Sequence, residues 1–136
     1  MRLRIFTVKF FSIHCMNGII QRTMPTMTYK AGDIVLTVFP FSDLTSRKKR
    51  PVLIVSSESL HRDRGEYIGL MITSHEARDS WDVMVKDWRQ ASLLFPSVVR
   101  VSKVFGLEEA IITRQLGRMT ESDFSGVLER FRRALY

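Results

Sequence analysis

Four cations in consecutive positions, Arg47, Lys48, Lys49 and Arg50, run directly into Pro51. The residue before a proline is pushed toward extended geometry. Arg50 is therefore expected at the mouth of a strand, where a rigid element can aim it. A guanidinium held there, beside a basic loop, suits a phosphate, because it stays charged and its planar fork can grip two oxygens. A second group, Thr73-Ser74-His75, brings two hydroxyls next to the side chain best poised for proton transfer near neutral pH. Arg100, inside SVVRVSKV, is a third candidate. Each also has a plainer reading: a charge run facing water, a β-branched strand end, a solvated loop histidine, and an arginine snorkelling over a sheet. Phe39 and Phe41 flank Pro40. Phe41 could stack a base, although alternating aromatics at a strand end commonly belong to a core.

Other chemistries find no residues to carry them. His14, His61 and His75 are dispersed without metal-ligand spacing. There is no glycine-rich phosphate loop and no nucleophile elbow. The single cysteine, Cys15, excludes an internal disulfide framework and a cysteine-based zinc site, and fits a reducing, cytoplasmic setting.

The elements that must position these groups are mostly strands. Residues 34–39 and 52–55 are short, β-branched-rich apolar runs bounded by turn formers, so both read as strands. The Gly32-Asp33 turn leads into the first, and a basic loop joins the two. Residues 58–65 are polar and read as a loop. Residues 67–73 (YIGLMIT) read as a third, central strand, and 75–80 as another loop. Residues 82–86 alternate like a half-exposed strand. Trp88, Ala91 and Leu94 sit at helical spacing, which predicts a short helix over 86–94, ended by Pro96. Residues 97–104 form a strand with Val99, Val101 and Lys103 on one face and Val98, Arg100 and Ser102 on the other. Ile111 and Ile112 begin a last strand closed by Gly117. Residues 120–136 give the clearest helix: Thr120 and Asp123 resemble a capping box. Phe124, Val127, Leu128, Phe131 and Leu135 form one apolar stripe, and Arg130, Arg132 and Arg133 suit the helix dipole. Five or six short strands with a terminal helix predict a mainly β fold with α: a small, strongly curved sheet or partial barrel closed by the helix.

A chain of 136 residues is one domain with room for a core. No apolar run approaches the ~20 residues of a membrane helix. The net charge of +7 points toward nucleic acid, but its placement is uneven. Residues 1–27 hold Arg2, Arg4, Lys9 and Arg22 and no acid, whereas the remainder has 17 basic against 14 acidic residues. Residues 1–27 also lack clean periodicity, and Lys9 and His14 interrupt any signal-peptide core. They read as an extension outside a domain spanning 28–136, rather than as a secretory signal or a functional arm.

AGDIVLTVFPFSDLTSRKKRPVLIVSS, the later LMITS, the SVVRVSKVF strand and QLGRMTESDF resemble the MazF/PemK family, in that order along the chain. These are toxins of type II toxin–antitoxin pairs. The resemblance spans roughly residues 29–135. It implies a small SH3-like, plasmid-maintenance-toxin β-barrel of five to seven strands with a C-terminal helix, usually a homodimer. It also implies metal-independent cleavage of single-stranded RNA, without a cofactor, and a cognate antitoxin as partner. By position, Arg50 matches the family's active-site arginine before proline, Thr73 its active-site threonine, and Arg100 an arginine of the PemK-like branch. Two positions depart from the family. Ser102 stands where that branch often has an acid, and His75 where the family often has glutamine.

In that chemistry the 2′-oxygen attacks the adjacent phosphorus, so an enzyme must take the 2′ proton, stabilise the phosphoryl charge and protonate the leaving 5′-oxygen. The resemblance assigns the phosphoryl charge to Arg50, a phosphate or 2′-hydroxyl contact to Thr73 with Ser74 as a weaker alternative, and support to Arg100. His75 would fill the acid or base role left vacant at Ser102. Lys48 and Lys49 would steer RNA. A rival from another class is a non-catalytic toxin or binding module of the same fold, acting on a protein such as gyrase, or holding RNA or antitoxin without cutting.

Overall fold

The structure, a computed structural model, describes residues 28–39 and 48–136. The extension expected at 1–27, and the 40–47 loop with Phe41 and Arg47, lie outside the described residues. Six strands follow one another: β1 Asp33–Phe39, β2 Lys48–Ile54, β3 Glu66–Thr73, β4 Asp82–Val85, β5 Ser97–Glu108 and β6 Ile112–Arg118. Helix α1 (Glu58–Arg64) joins β2 to β3, a 3-10 turn (Glu109–Ile111) precedes β6, and α2 (Glu121–Leu135) closes the chain. All strand pairs are antiparallel, in the order β4-β5-β3-β2-β1-β6. The sheet and terminal helix match the expected barrel architecture.

Alternation along the strands sends apolar side chains to both faces. On one face Ile34, Leu53, Leu70, Ile72, Val99 and Val101 form a core with Val127 of α2, and Phe124 and Phe131 pack against it. On the other, Val35, Val52, Ile54, Tyr67 and Leu107 pack with Tyr29. The β5 register shifts between its pairings with Leu70 and Met71, leaving residues 101–103 as a bulge. A bulge of this kind bends a strand and raises its twist. Close packing on this face needs Gly69, where a Cβ would overlap the Val52 side chain.

Three local devices set the frame. Gly32 takes a φ of +98°, and Asp33 caps the turn by accepting the Lys30 N–H at 2.8 Å and an Arg118 N–H at 2.6 Å. This clasp ties the start of β1 to the end of β6. Thr120 caps α2 by accepting the Asp123 N–H at 3.4 Å. Asp123 does not complete the capping box: its carboxylate is buried and takes the amides of Lys86 and Asp87 at 3.2 and 2.9 Å. It thus docks the helix on the segment after β4. That segment is a series of turns, not the expected helix. Ser92 adopts a φ of +65° and Leu94 stands exposed.

Residues 58–65 are also not a loop. Ser57 accepts the Leu60 N–H as N-cap, and Gly65 ends α1 at a φ of +69° with its N–H on the His61 carbonyl. Helix α1 buries no residue fully, but His61 stacks on Tyr67 with ring centroids 4.5 Å apart. Its Nε2 lies 2.7 Å from Glu109 Oε1. Tyr67 Oη accepts the Tyr29 N–H at 3.2 Å. Burial pushes the Tyr67 phenol above its ordinary value; the Tyr29 amide pulls partly back and the Glu109 carboxylate adds to the rise.

The two ends of the sheet meet where Gly117 of β6 passes the turn after β4, so that a Cβ there would overlap the Ala91 carbonyl. Gly117→Ala is expected to lower the unfolding free energy by about 2 kcal/mol, since backbone must shift to admit it. Gly126→Ala, in mid-helix with open space around the added Cβ, is expected to raise it by about 0.5–1 kcal/mol. Urea unfolding of the two variants checks both signs.

Candidate phosphate site on the sheet face opposite the helix

β2 alternates through its whole length. Even positions Lys48, Arg50, Val52 and Ile54 share the face of Tyr67, while Pro51 and Leu53 point toward α2. Along β3, Tyr67, Gly69, Met71 and Thr73 share that same face, and Met71 pairs directly with Arg100 of β5. Arg100 pairs in turn with Asp82 of β4. The face therefore has two halves: an aromatic and aliphatic core at one end, and Arg50, Thr73, Arg100 and Asp82 at the other.

Arg50 and Thr73 come from neighbouring strands. The β2–β3 ladder pairs Val52 with Met71 and ends there; Arg50 and Thr73 each lie two residues beyond that last pair, so alternation puts both on its face. Pro51 gives a reason for the ending. Val55 donates its N–H to Ile68 of β3, so odd-numbered amides of β2 point toward β3, and Pro51 has no N–H to give. On its other side the Arg50 backbone is anchored to β1. The fully buried Thr37 donates its hydroxyl to the Arg50 carbonyl at 3.0 Å. The Arg50 side chain is partly exposed and, among the described residues, has no ion-pair partner.

Thr73 is buried at the end of β3, and its Oγ1 accepts the His75 N–H at 3.2 Å. The hydroxyl proton remains available for a phosphoryl oxygen. Ser74 and His75 are exposed just beyond the strand. Arg100 is only 15% exposed in its side chain and lies beside the carboxylate of Asp82, Nε to Oδ2 3.7 Å. It is thus an ion-paired arginine and not one that only snorkels. Ser102 sits exposed in the β5 bulge. Of the two lysines, Lys48 shares the Arg50 face and Lys49 lies on the opposite one. Among the described residues no cluster of three or more His, Cys, Asp or Glu is placed to hold a metal ion.

Sequence reasoning missed Thr37 and Asp82. Thr37 carries a weak signal, as the one hydroxyl inside the apolar run IVLTVF. Asp82 carries none, because its partner Arg100 belongs to another strand.

The profile of a family described as "PemK-like, MazF-like toxin of type II toxin-antitoxin system" matches residues 30–135. No curated protein sequence matches the chain. Among solved structures, an endoribonuclease in complex with its cognate antitoxin, from a mycobacterial species, superposes with a TM-score of 0.65 at 16% identity, covering 79% of this chain and 94% of that one. MazF from Deinococcus radiodurans gives 0.66 at 20% identity, covering 81% and 98%. The MazE-MazF complex of the same organism gives 0.64 at 18%, covering 81% and 97%. At these identities the likeness carries the fold. Among the described residues no helix is long and apolar enough to cross a membrane.

Thr73→Val is expected to leave the fold intact and remove the acceptor for the His75 amide. Amide hydrogen exchange at His75 should then quicken by about fivefold, the equivalent of about 1 kcal/mol for one hydrogen bond, while Leu70 and Ile72 stay protected.

Proposed function

The chain belongs to the family of PemK-like, MazF-like toxins of type II toxin–antitoxin systems, and on that basis we propose that it cuts single-stranded RNA without a metal ion, at the face holding Arg50 and Thr73. The domain at 28–136 carries this activity, works as a homodimer, and is held in check by a cognate antitoxin. The observation that supports the reading most is the shared face of Arg50 and Thr73, each two residues beyond the last pair of the adjacent strands β2 and β3. A phosphate lying between them meets a guanidinium on one side and a hydroxyl donor on the other.

The chemistry balances without an added cofactor. The 2′-oxygen forms a bond to phosphorus, the bond from phosphorus to the 5′-oxygen breaks, and a cyclic 2′,3′-phosphate and a 5′-hydroxyl result. Arg50 neutralises the charge that builds on the non-bridging oxygens, where donors act most strongly because that charge is greatest in the transition state. Thr73 donates a hydrogen bond from its hydroxyl to the same group. His75 takes the 2′ proton or delivers one to the leaving oxygen, and solvent water carries the other of these two proton transfers. Lys48, on the Arg50 face, attracts the backbone of the strand, and Ser74 and Phe41 contribute to RNA binding. DNA lacks the 2′-hydroxyl and cannot react this way.

Purified protein incubated with single-stranded RNA in chelator should cleave it and leave DNA of the same sequence intact. Arg50→Ala should slow cleavage by about 100- to 1,000-fold, the usual effect of removing one charge-stabilising donor. RNA left intact by both wild type and variant would favour a non-catalytic toxin. His75→Gln should cut the rate and flatten its pH dependence across neutrality; an unchanged rate and pH profile would remove His75 from proton transfer.

A further inference from the structure

Asp82 and Arg100 make an unusual pair. Both are largely buried, with side-chain exposures of 3% and 15%. Their strands place them directly opposite each other, on the same face as Thr73. One oxygen of the carboxylate, Oδ2, accepts the Arg78 N–H at 2.9 Å and lies 3.6 Å from Arg78 Nε and 3.7 Å from Arg100 Nε. An arginine used only to neutralise a buried acid commonly meets it fork to fork, with two hydrogen bonds near 2.8 Å. Here the approach is through Nε, which is buried without a hydrogen bond. Among the described residues the terminal nitrogens of Arg100 have no hydrogen-bond partner. The carboxylate therefore holds the stem side of the guanidinium by charge and leaves its outer edge open.

We propose that Asp82 is a positioning residue for the phosphate site, orienting Arg100 so that its terminal N–H groups face the scissile phosphate beside Arg50 and Thr73. The inference rests on the nuclease reading and adds a residue to it. The desolvation cost of burying the Arg100 charge is offset by the Asp82 carboxylate, and the carboxylate is in turn fixed by the Arg78 amide. Asp82 touches neither RNA nor the reacting atoms. Its influence reaches the reaction only through the guanidinium, when charge develops on the phosphoryl oxygens.

The test is a double-mutant cycle in the full chain, with Asp82→Asn, Arg100→Gln and the double variant, read on a single-stranded RNA oligonucleotide. Asn keeps an acceptor for the Arg78 N–H, so the loop should stay in place; thermal melts check this, and Asp82→Glu serves if Asp82→Asn fails to fold. Asp82→Asn is expected to lower kcat about tenfold with KM changed less than twofold, and to have no further effect when Arg100 is already Gln, a coupling of ordinary size for contacting residues. Additive effects in the two backgrounds would overturn the proposal. A second readout does not need cleavage: the Nε–H resonance of Arg100, identified by its loss in Arg100→Gln, should shift and exchange faster in Asp82→Asn. An unmoved resonance would overturn the positioning role even in an active enzyme. Absence of cleavage by the wild type would instead overturn the nuclease reading, with the resonance still deciding whether Asp82 orients Arg100.

Discussion

Every residue of β2 must face one side of the sheet or the other, and its hydrogen-bonded neighbours on β1 and β3 share that side. This constraint aims Arg50. Leu53 belongs to the core under α2, together with Ile34 and Leu70. Val52 and Ile54 belong to the core on the opposite face. A slip of one residue would exchange all of them at once and turn Arg50 toward the helix. The direction of the guanidinium is thus held by the burial of side chains that take no part in any chemistry.

The same strand has to be packed over Val52 to Ile54 and to leave off pairing with β3 where it carries Arg50. Pro51 supports both requirements. It keeps its place against Leu36 of β1, yet gives no amide to β3, and the β2–β3 pairing ends beside it. Thr37 holds the Arg50 backbone from the β1 side. The result is a polar end to a face whose other half is packed with Tyr29, Tyr67 and Leu107. Helix α1 covers the packed half through His61, Glu109 and Tyr67, far along the sheet from the polar half. Helix α2 is docked to the segment after β4 through Asp123, and it packs on the opposite face.

The strands, their approximate limits and the terminal helix were legible in the chain. So were the Gly32-Asp33 turn into β1 and the extended geometry of Arg50 before Pro51. The polar residues 58–64 were not legible as a helix, because that helix buries nothing fully and leans on a glutamate 48 residues away; its caps, Ser57 and Gly65, were the available signal. The opposite error arose at 86–94. Helical spacing of Trp88, Ala91 and Leu94 was present, but Ser92 takes a left-handed φ of +65° and the segment stays in turns.

Local order is set within a few residues: alternation of two makes a strand, a stripe with a capping threonine makes a helix, and a proline restrains the residue before it. Those influences lie next to one another in the chain, so its residue order sufficed to find the strands and the terminal helix. Which groups then meet depends on register across strands that the chain joins through long connections. Lys48 and Lys49 are neighbours in the chain and part to opposite faces. Asp82 and Arg100 lie on different strands and become partners. Pairing of this kind comes from hydrogen bonds and burial summed over the whole sheet, and no pattern within one segment records it.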